Sequence, residues 1–499
     1  METIGNLVED LLLYAKQNLY MTYEDSFYAR NQLLELFEAE PGDRKGLEKE
    51  LNDVLNPMIE YALGKDIIED GEQLRFETKI LGFVTPAPGL FIKNYLEIYD
   101  KKGSRAATDY LYNLSIKNKY IRLEDIAKNI CWYADGELGK IGITINLSKP
   151  EKDAKQVLAE RNAKQVKYPK CLLCLENLGF CGTATHPARQ TIRQVPVTLG
   201  GEKWHMQYSP YMYYDEHVIV FCDEHRPMAI TGDTFIRLLD FVDLYPDYFL
   251  GSNADLPIVG GSILSHDHYQ GGKKVLPMFF TGLRKEFIST PELTVGIRNW
   301  YNSVVTVKGT NKSKVLSTAT AFLKAWREYT DESVGIEAYT GDVPHNTITP
   351  IARKEGNEYI LDLILRNNRC DETHPDGIFH PTKDMHNIKK EGIGLIEAMG
   401  LFILPGRLKR EINAMIQILK QEKIDFAALN KDEALSKHIG MLAQISAKFG
   451  AGMTFEEARD RLIDYVSETC LKILDCTAVF KRDDKGRPAF NKFVHSVLD

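Results

Sequence analysis

Short strand patterns separated by tight turns are the feature that most constrains the fold of this chain. Residues 192–199 and 203–208 both read as strands, and Gly200 and Gly201 between them form a link typical of an antiparallel hairpin. Residues 217–222 read as a third strand close by. We therefore predict an α+β fold in which the strands pair mainly antiparallel.

Helical periodicity surrounds this strand-rich stretch. Residues 1–140 read mainly as helix, with apolar residues at helical spacing in 4–19, 27–37 and 113–132. Further helices are predicted at 235–245, 322–329, 388–399 and from 408 onward, and further strands at 143–147, 257–264, 346–352 and 359–366. Because 499 residues are too many for one ordinary core, we expect two or three packed units.

The charge and hydropathy of the chain exclude several classes of protein. A formal net charge of −8 disfavours non-specific binding to nucleic acid, which relies on a basic surface. No apolar run reaches the roughly 18 residues that a membrane helix needs. The first residues carry acids where a signal peptide would carry lysines. We therefore expect a cytoplasmic protein with no membrane or nucleic-acid partner, in which an anionic ligand is met by a few positioned residues.

The cysteines point to a metal site rather than to disulfides. Eight cysteines are sparse for this length, and Cys171 and Cys174 have the spacing with which two thiolates bind one tetrahedral Zn²⁺. A redox dithiol is the alternative, although the βαβ context usual for that motif is not evident. Because the chain has no second C-x-x-C, we expect His225 and His266 to complete the site. Cys222 ranks below His225 because it lies in the apolar end of a strand.

A His-Asp-His-Tyr-Gln pentapeptide carries the strongest catalytic signal. In an extended conformation it places His266, His268 and Gln270 on one face. Glycines at 260–261 and 271–272 permit close approach of the backbone to a ligand, and exposed N–H groups suit phosphate oxygens. A neutral imidazole can attack phosphorus when one nitrogen is aimed at it and the other is fixed by an acceptor. A glutamine at the last position donates hydrogen bonds but no acid proton, which favours transfer to a sugar phosphate over hydrolysis.

Together with the C-x-x-C and a VIVFCDEH segment, several segments in order resemble the galactose-1-phosphate uridylyltransferase family of the histidine-triad superfamily. These segments are ITINLSKPEKD, HPARQTIRQVPV, GGSILSHDHYQGG, PHNTITPIAR and EGIGLIEAMGLFILPGRL. The match is closest to a bacterial group with a long helical N-terminal extension. The resemblance implies an antiparallel sheet of two histidine-triad-like halves, at 141–285 (with the metal site and the nucleophile) and 286–410. A helical N-terminal region (1–140) and a helical C-terminal segment (411–499) flank these halves.

The resemblance also implies an activity, that of a UDP-glucose–hexose-1-phosphate uridylyltransferase of galactose metabolism. UDP-glucose and galactose 1-phosphate would give glucose 1-phosphate and UDP-galactose by double displacement through a uridylyl-histidine. His268 would be the nucleophile, and Gln270 would bind the transferred phosphoryl group. The family's metal ligands fall on Cys171, Cys174, His225 and His266, which predicts one structural zinc site, with iron as the alternative metal in the cell. A homodimer is expected by the same analogy.

Three departures from the better-known group of the family have consequences. Lys149 and Lys152 lie in SKPEK, where that group has SPHR, and they would replace its arginine contacts to phosphate. Asp267 stands between the two histidines, and we expect it to point to the opposite face. The late strand that can hold a second metal in that group reads YILDLIL here, so no second metal site is predicted.

Substrate contacts are predicted in both halves. Those to the nucleotide and its phosphates are expected from Arg189, Arg193, Asn253, Gly261, Ser262 and Lys152. Arginines suit this role because a guanidinium can donate two parallel hydrogen bonds to a phosphate. Asn346, Lys389 and Glu397 are candidates for contacts from the second half.

Two other functions fit parts of the same pattern. A dinucleoside polyphosphate hydrolase or phosphorylase would belong to the same superfamily, but Gln270 argues against hydrolysis. A zinc-stabilised binding module for RNA or protein would need no catalysis, but the acidic charge argues against RNA. Uridylyl transfer is therefore the leading hypothesis.

Overall fold

The computed structural model describes residues 2–148, 168–261 and 263–499. The chain begins with helices α1 (Ile4–Asn18), α2 (Tyr23–Phe37), α3 (Leu51–Gly64), α4 (Gln73–Val84), α5 (Pro88–Lys102), α6 (Ser104–Lys117) and α7 (Leu123–Ile126). A hairpin of β1 (Ile130–Gly136) and β2 (Gly139–Ile145) follows. The N-terminal region is therefore helical as predicted up to Ile126, but the predicted helix over 113–132 is wrong in its second half.

A group of five strands and one helix follows the N-terminal region, here called the first repeat (195–273). Its elements are β3 (Val195–Leu199), β4 (Glu202–Tyr208), β5 (Val218–Cys222), α8 (Gly232–Leu244), β6 (Tyr248–Gly251) and β7 (His268–Lys273). The predicted hairpin is confirmed, since β3 and β4 pair antiparallel on either side of Gly200 and Gly201. Both glycines have positive φ values (58° and 76°), which residues with a Cβ rarely adopt.

A second group, here called the second repeat (283–367), has the same sequence of elements. They are β8 (Leu283–Ser289), β9 (Thr294–Arg298), β10 (Val304–Gly309) and α9 (Lys312–Arg327), then a small hairpin of β11 (Tyr339–Thr340) and β12 (Val343–Pro344), and finally β13 (Asn346–Glu355) and β14 (Glu358–Asn367). The paired strands predicted at 346–352 and 359–366 are confirmed as β13 and β14.

The two repeats form one ten-stranded antiparallel sheet with the order β3-β4-β5-β7-β6-β13-β14-β10-β9-β8. When the strands of each repeat are numbered by their order in the sequence, their order in the sheet, from its outer edge inward, is first, second, third, fifth, fourth. In the sequence of each repeat, the helix lies between the third and the fourth strand. The fourth strands, β6 and β13, pair antiparallel at the centre. The topology thus shows a duplication, and the α+β fold with an antiparallel sheet of two similar halves is confirmed.

The remaining elements lie C-terminal to the second repeat. They are α10 (Leu395–Ala398), β15 (Leu401–Leu404), α11 (Arg407–Leu419), α12 (Phe426–Leu429), α13 (Ile439–Phe449), α14 (Phe455–Thr477) and α15 (Gly486–Leu498). β15 adds to β2 as a parallel neighbour, which gives a three-stranded sheet β1-β2-β15. Within the described ranges, no helix combines the length and hydropathy needed to cross a membrane.

The ten-stranded sheet separates two hydrophobic cores. One face packs on α8, α9 and the N-terminal helices, with Leu250, Tyr269 and Leu361 among the buried residues. The other face packs on the three-stranded sheet and on α11, α13 and α14, with Phe249 and Ile351 among the buried residues. The side chains of successive strand residues alternate between these two cores, which explains why the central strands are buried on both faces.

Two further secondary-structure assignments made from the sequence are wrong, and the predicted division into domains remains a prediction. The strand predicted at 257–264 is wrong: residues 257–259 form a turn, and Gly260 makes an isolated bridge with Ala254 because the backbone folds back closely there. The helix predicted over 388–399 is reduced to the four residues of α10. The predicted boundary at 285/286 falls within β8, and the division into four domains stays a prediction.

Candidate active site and metal centre

Two cysteines and two histidines converge beside the first repeat. The Sγ atoms of Cys171 and Cys174 lie 3.5 Å apart, which is too far for a disulfide bond. Nδ1 of His266 lies 3.2 Å from Sγ of Cys171, and Nδ1 of His225 lies 3.1 Å from Sγ of Cys174. The four ligand atoms all lie within 4.8 Å of one another. The structure therefore brings together the four residues that the sequence nominated as metal ligands.

The distances suit a four-coordinate metal ion. Two sulfurs at about 2.3 Å and two imidazole nitrogens at about 2.1 Å from one tetrahedral ion stand about 3.4–3.8 Å apart. Cys222 does not join the cluster through its thiol; its carbonyl accepts a hydrogen bond from Nε2–H of His266 at 2.8 Å. That bond leaves the Nδ1 lone pair of His266 for the metal, as is usual for histidine ligands.

The loop that carries the two cysteines is held by a side chain of its own. Nδ2 of Asn177 donates to the carbonyls of Cys171 and Cys174 at 2.9 and 2.8 Å, and Oδ1 of Asn177 accepts from Nε2 of His186 at 2.7 Å. Asn177 is completely buried. His186 thus stabilises this loop through Asn177.

His268 is the first residue of β7 and is oriented by the metal-binding segment. Its Nδ1 donates to the carbonyl of His266 at 2.8 Å, which fixes the ring and the tautomer. Nε2 makes no hydrogen bond to any residue that the structure describes, and it carries the lone pair. Burial lowers the pKa of His268 to about 4, so the ring is neutral at neutral pH.

A cavity of about 800 Å³ opens beside His268, between the first repeat and the segment that follows the second repeat. From the first repeat and the loop before β7 it is lined by Tyr213, Asn253, Ile258, Gly260, Gly261, His268 and Gln270. From the rest of the chain it is lined by Asn146, Lys389, Glu391, Gly392, residues 394–397 and residues 403–406. A cavity of this size, mostly apolar with a few polar groups, is typical of small-molecule sites.

Gln270 shares the face of His268 because the two are separated by one residue in β7. Its Oε1 lies 3.1 Å from Nε2 of His217, a buried residue just before β5. Sequence reasoning missed His217. Its only signal was its place in the strand pattern 217–222, and no motif linked it to Gln270.

The segment after the second repeat supplies charge to the opposite wall. Nζ of Lys389 donates to Glu397 at 3.0 Å and to the carbonyl of Ile403 at 3.2 Å. Burial lowers the pKa of Lys389, but the attraction of the Glu397 carboxylate and the hydrogen bond that it accepts from Nζ outweigh burial, so this pKa lies above its usual value. A buried, charged lysine therefore faces the cavity, as the sequence analysis suggested for Lys389 and Glu397.

Asn253 joins the two walls. Its Oδ1 accepts from the backbone N–H of Leu395 at 2.8 Å, and its side chain packs against Gly261 and Gly394. A Cβ at Gly261 would lie 2.6 Å from Nδ2 of Asn253, so this contact requires a glycine. Asn253 and Gly261 both line the cavity, where the sequence predicted substrate contacts.

The two predicted arginines lie elsewhere. The buried Arg193 donates to the carbonyls of Thr85, Pro86, Gln190 and Ile192, so its guanidinium ties the N-terminal helices to the first repeat. The guanidinium of Arg189 stands 5.8 Å from the ring of Tyr120. Neither residue is among those that line the cavity.

Five other predicted positions complete the comparison. Asp267 points away from the cavity toward Arg226, with Nε 3.6 Å from its carboxylate, and burial raises its pKa to about 6 against the attraction of Arg237 and Arg226. Asn346 is buried and donates to the carbonyls of Trp326 and Tyr329. The predictions for Lys149, Lys152 and Ser262 lie outside the described residues.

Comparisons with known proteins agree with this site. Residues 20–227 match the family described as the N-terminal domain of galactose-1-phosphate uridyl transferase, and residues 241–430 match the description of its C-terminal domain. A galactose-1-phosphate uridylyltransferase of Fusobacterium nucleatum is 46% identical over 99% of both chains. One of Bacillus subtilis is 42% identical over 98% of this chain and 97% of its own.

Among solved structures, yeast Ap4A phosphorylase covers 60% of this chain and 89% of its own, with 13% identity and a TM-score of 0.30. That likeness is too low to support an inference. The sequence matches extend over nearly the whole chain and include the segments that build the metal cluster and the cavity. The chain belongs to the galactose-1-phosphate uridylyltransferase family.

Proposed function

We propose that this protein transfers UMP between UDP-glucose and galactose 1-phosphate, giving glucose 1-phosphate and UDP-galactose, through a uridylyl group on His268. The observation that carries the proposal is the state of His268. Its Nδ1–H is bonded to the carbonyl of His266, and its Nε2 lone pair stands at the cavity wall. Curated relatives of nearly the same length are named for this transfer, which supports the assignment.

The first displacement follows from this geometry. Nε2 of the neutral ring attacks the phosphorus that bears uridine, a P–N bond forms, and the P–O bond to glucose 1-phosphate breaks. The positive charge that develops on the ring is stabilised by the Nδ1–H bond to the carbonyl of His266. Glucose 1-phosphate leaves as a phosphate anion and needs no proton, so Gln270 in place of an acid is sufficient.

The second displacement reverses the first with another sugar. A phosphate oxygen of galactose 1-phosphate attacks the uridylyl phosphorus, the P–N bond breaks, and His268 returns to its neutral state. Lys389 and Glu397 on the opposite wall suit the hexose phosphate, since one carries positive charge and the other accepts hydrogen bonds from hydroxyls. Asn253 and Gly261 are proposed contacts to the nucleotide, and Ser262 and Lys152 remain predictions from the sequence.

The metal is proposed to be a structural zinc ion, with iron as the alternative. Two thiolates and two imidazoles form a closed donor set that zinc favours. When bound, the ion would hold Cys171, Cys174, His225 and His266 in place and take no part in the transfer. We also propose a cytoplasmic homodimer with no second metal site, by analogy with the family.

The alternative function, hydrolysis or phosphorolysis of dinucleoside polyphosphates, is not favoured. The relatives that match the whole chain are named as uridylyltransferases. A non-catalytic binding module would not require a histidine with an unpaired nitrogen on a cavity.

Trapping the covalent intermediate tests the proposal. Protein incubated with UDP-glucose is expected to gain the mass of one UMP on His268, and galactose 1-phosphate should discharge it as UDP-galactose. His268→Ala should form no adduct and lose at least about 10³-fold in transfer rate, whereas the exposed His374→Ala should behave as wild type. Undiminished transfer by His268→Ala, or an adduct on another residue, would refute the proposal.

A further inference from the structure

His217 sits directly behind Gln270, outside the lining of the cavity. It is 2% exposed, and its ring lies between those of Tyr213 and Tyr214, with centroids 5.5 and 4.5 Å away. Its backbone carbonyl accepts from the N–H of Ser209, which closes the loop between β4 and β5. The imidazole is therefore held rigidly at one position.

Among the described residues, only the side chain of Gln270 lies within hydrogen-bond distance of a ring nitrogen of His217. Nε2 lies 3.1 Å from Oε1 of Gln270, and Nδ1 is buried without a hydrogen-bond partner. Burial lowers the pKa of His217 to about 4, so the ring is neutral and carries a single N–H. Two arrangements are then open, with the proton on Nε2 or on Nδ1.

The two arrangements turn Gln270 in opposite directions. A proton on Nε2 makes His217 the donor to Oε1, and the NH₂ group of Gln270 then faces the cavity. A proton on Nδ1 makes Nε2 the acceptor, so that NH₂ turns inward and the carbonyl oxygen faces the cavity. The oxygen and the nitrogen of the Gln270 amide exchange places between the two arrangements. The tautomer of His217 therefore decides whether the carbonyl oxygen or the NH₂ group of Gln270 faces a substrate in the cavity.

The cost of each arrangement distinguishes them. With the proton on Nε2, the unpaired atom of His217 is a lone-pair acceptor; with the proton on Nδ1, it is a buried N–H donor, which is rarer and costlier in proteins. The second arrangement would also aim a carbonyl oxygen at a phosphoryl group. The cost of the unpaired buried N–H and the repulsion between the Gln270 carbonyl and a phosphoryl group both favour the proton on Nε2.

We propose that His217 is a positioning residue that donates from Nε2–H to Oε1 of Gln270 and so turns two N–H donors of Gln270 toward the phosphoryl group in transfer. This inference rests on the proposed function. It explains why the site uses a buried histidine where no acid or base is needed. The ring supplies one directed donor and exchanges no proton with substrate.

A double-mutant cycle tests the inference. His217→Met fills a similar volume but donates nothing, so the amide of Gln270 can turn, and the single-turnover rate of uridylylation should fall about tenfold. His217→Gln can place an amide N–H near the former Nε2 and should stay within about threefold of wild type. In a Gln270→Ala background, His217→Met should change the rate by less than about twofold, because the group that it orients is gone.

A purely structural role predicts a different pattern. His217→Met would then slow the reaction equally with and without Gln270, or leave the wild-type rate unchanged, and either result overturns the inference. Tyr214→Phe is the matched control: it alters the same packing, and loses a hydrogen bond to the carbonyl of Gly271, without touching Gln270. It should show no coupling to Gln270→Ala.

A second measurement covers the case in which His217→Met does not fold. Histidine ¹⁵N shifts of the wild-type protein report which ring nitrogen carries the proton, and His217→Gln identifies the signal. An Nδ1–H tautomer would overturn the inference. Failure of the wild type to form any adduct from UDP-glucose would instead refute the proposed function, so the two failures are distinguishable.

Discussion

The two repeats share a topology but differ in what they place on the same face of the sheet. Gly251 pairs with Gln270 on one side and with Ile351 on the other, and Ile351 pairs with Asp362 in β14. Because directly paired residues share a face, Asp362 lies on the face that carries Gln270. In the first repeat this face opens to a cavity, whereas in the second it is closed.

The chemistry of the two positions differs accordingly. Asp362 is completely buried, accepts hydrogen bonds from Thr306, Arg298 and Arg353, and has a pKa held below its usual value by the two arginines in spite of burial. His268 has one nitrogen satisfied and the other left for a substrate. The charges of Asp362, Arg298 and Arg353 neutralise one another, so this cluster serves the fold. The neutral ring of His268 has one unused lone pair, so it can react.

The largest effect is expected from removing a ligand of the metal cluster beside the first repeat. Structural zinc contributes about 10–16 kcal/mol to the folding of zinc-finger peptides, so Cys174→Ser should cost on the order of 5 kcal/mol in folding and metal binding. Adduct formation should fall too, because His266 supplies the carbonyl that orients His268. Bound metal, thermal stability and adduct yield are the measurements.

Cys181→Ser provides the matched control for the metal ligand. Cys181 lies in the same loop but is exposed and outside the cluster. Its replacement should leave metal content and adduct yield as in the wild type. If Cys174→Ser kept a full equivalent of metal, the four-residue site would be wrong.

A smaller but still large effect is expected from the second repeat. Asp362→Asn keeps the shape but removes the buried charge that Arg298 and Arg353 share, and leaves Arg298 without a counter-ion and Arg353 with only the exposed Glu355, at a cost of about 3–5 kcal/mol. Unfolding by denaturant measures the cost. Adduct formation per folded molecule should be unchanged, in contrast to Cys174→Ser.

The control for this cluster is Glu355→Gln. Glu355 also pairs with Arg353, but its side chain is 55% exposed, so the change should cost less than about 1 kcal/mol. If folded Asp362→Asn protein failed to form the adduct, the second repeat would also be needed for the reaction, and the contrast between the two repeats would be wrong.

The contrast also marks how far the sequence could predict the molecule. The metal cluster was predictable because its spacing and its donor atoms are tied to one chemistry, whereas the role of His268 as nucleophile was expected from the family resemblance and stays a proposal. Arg193 was expected to contact phosphate but binds backbone carbonyls instead, because a guanidinium can donate to either kind of oxygen. His217 was hidden because it acts through a partner 53 positions away. The two similar halves were expected from the family resemblance alone, and the strand order of the structure shows the duplication.

The smallest effect should come from the cavity wall opposite His268, the proposed nucleophile. Lys389→Met removes the buried cation beside Glu397, and kcat/KM for both hexose phosphates should fall about tenfold. Slow reaction of the preformed adduct with water, which needs no hexose, should proceed at the wild-type rate. The adjacent exposed Lys390→Met should have no effect.

This last change separates recognition from stability. Lys389→Met leaves the carboxylate of Glu397 buried without its partner, so some loss of stability is expected, and adding Glu397→Gln should restore most of it. If the double variant also regained kcat/KM, the pair would serve folding alone. If stability returned and kcat/KM did not, the segment after the second repeat would recognise the sugar phosphate, while the first repeat holds the reacting histidine.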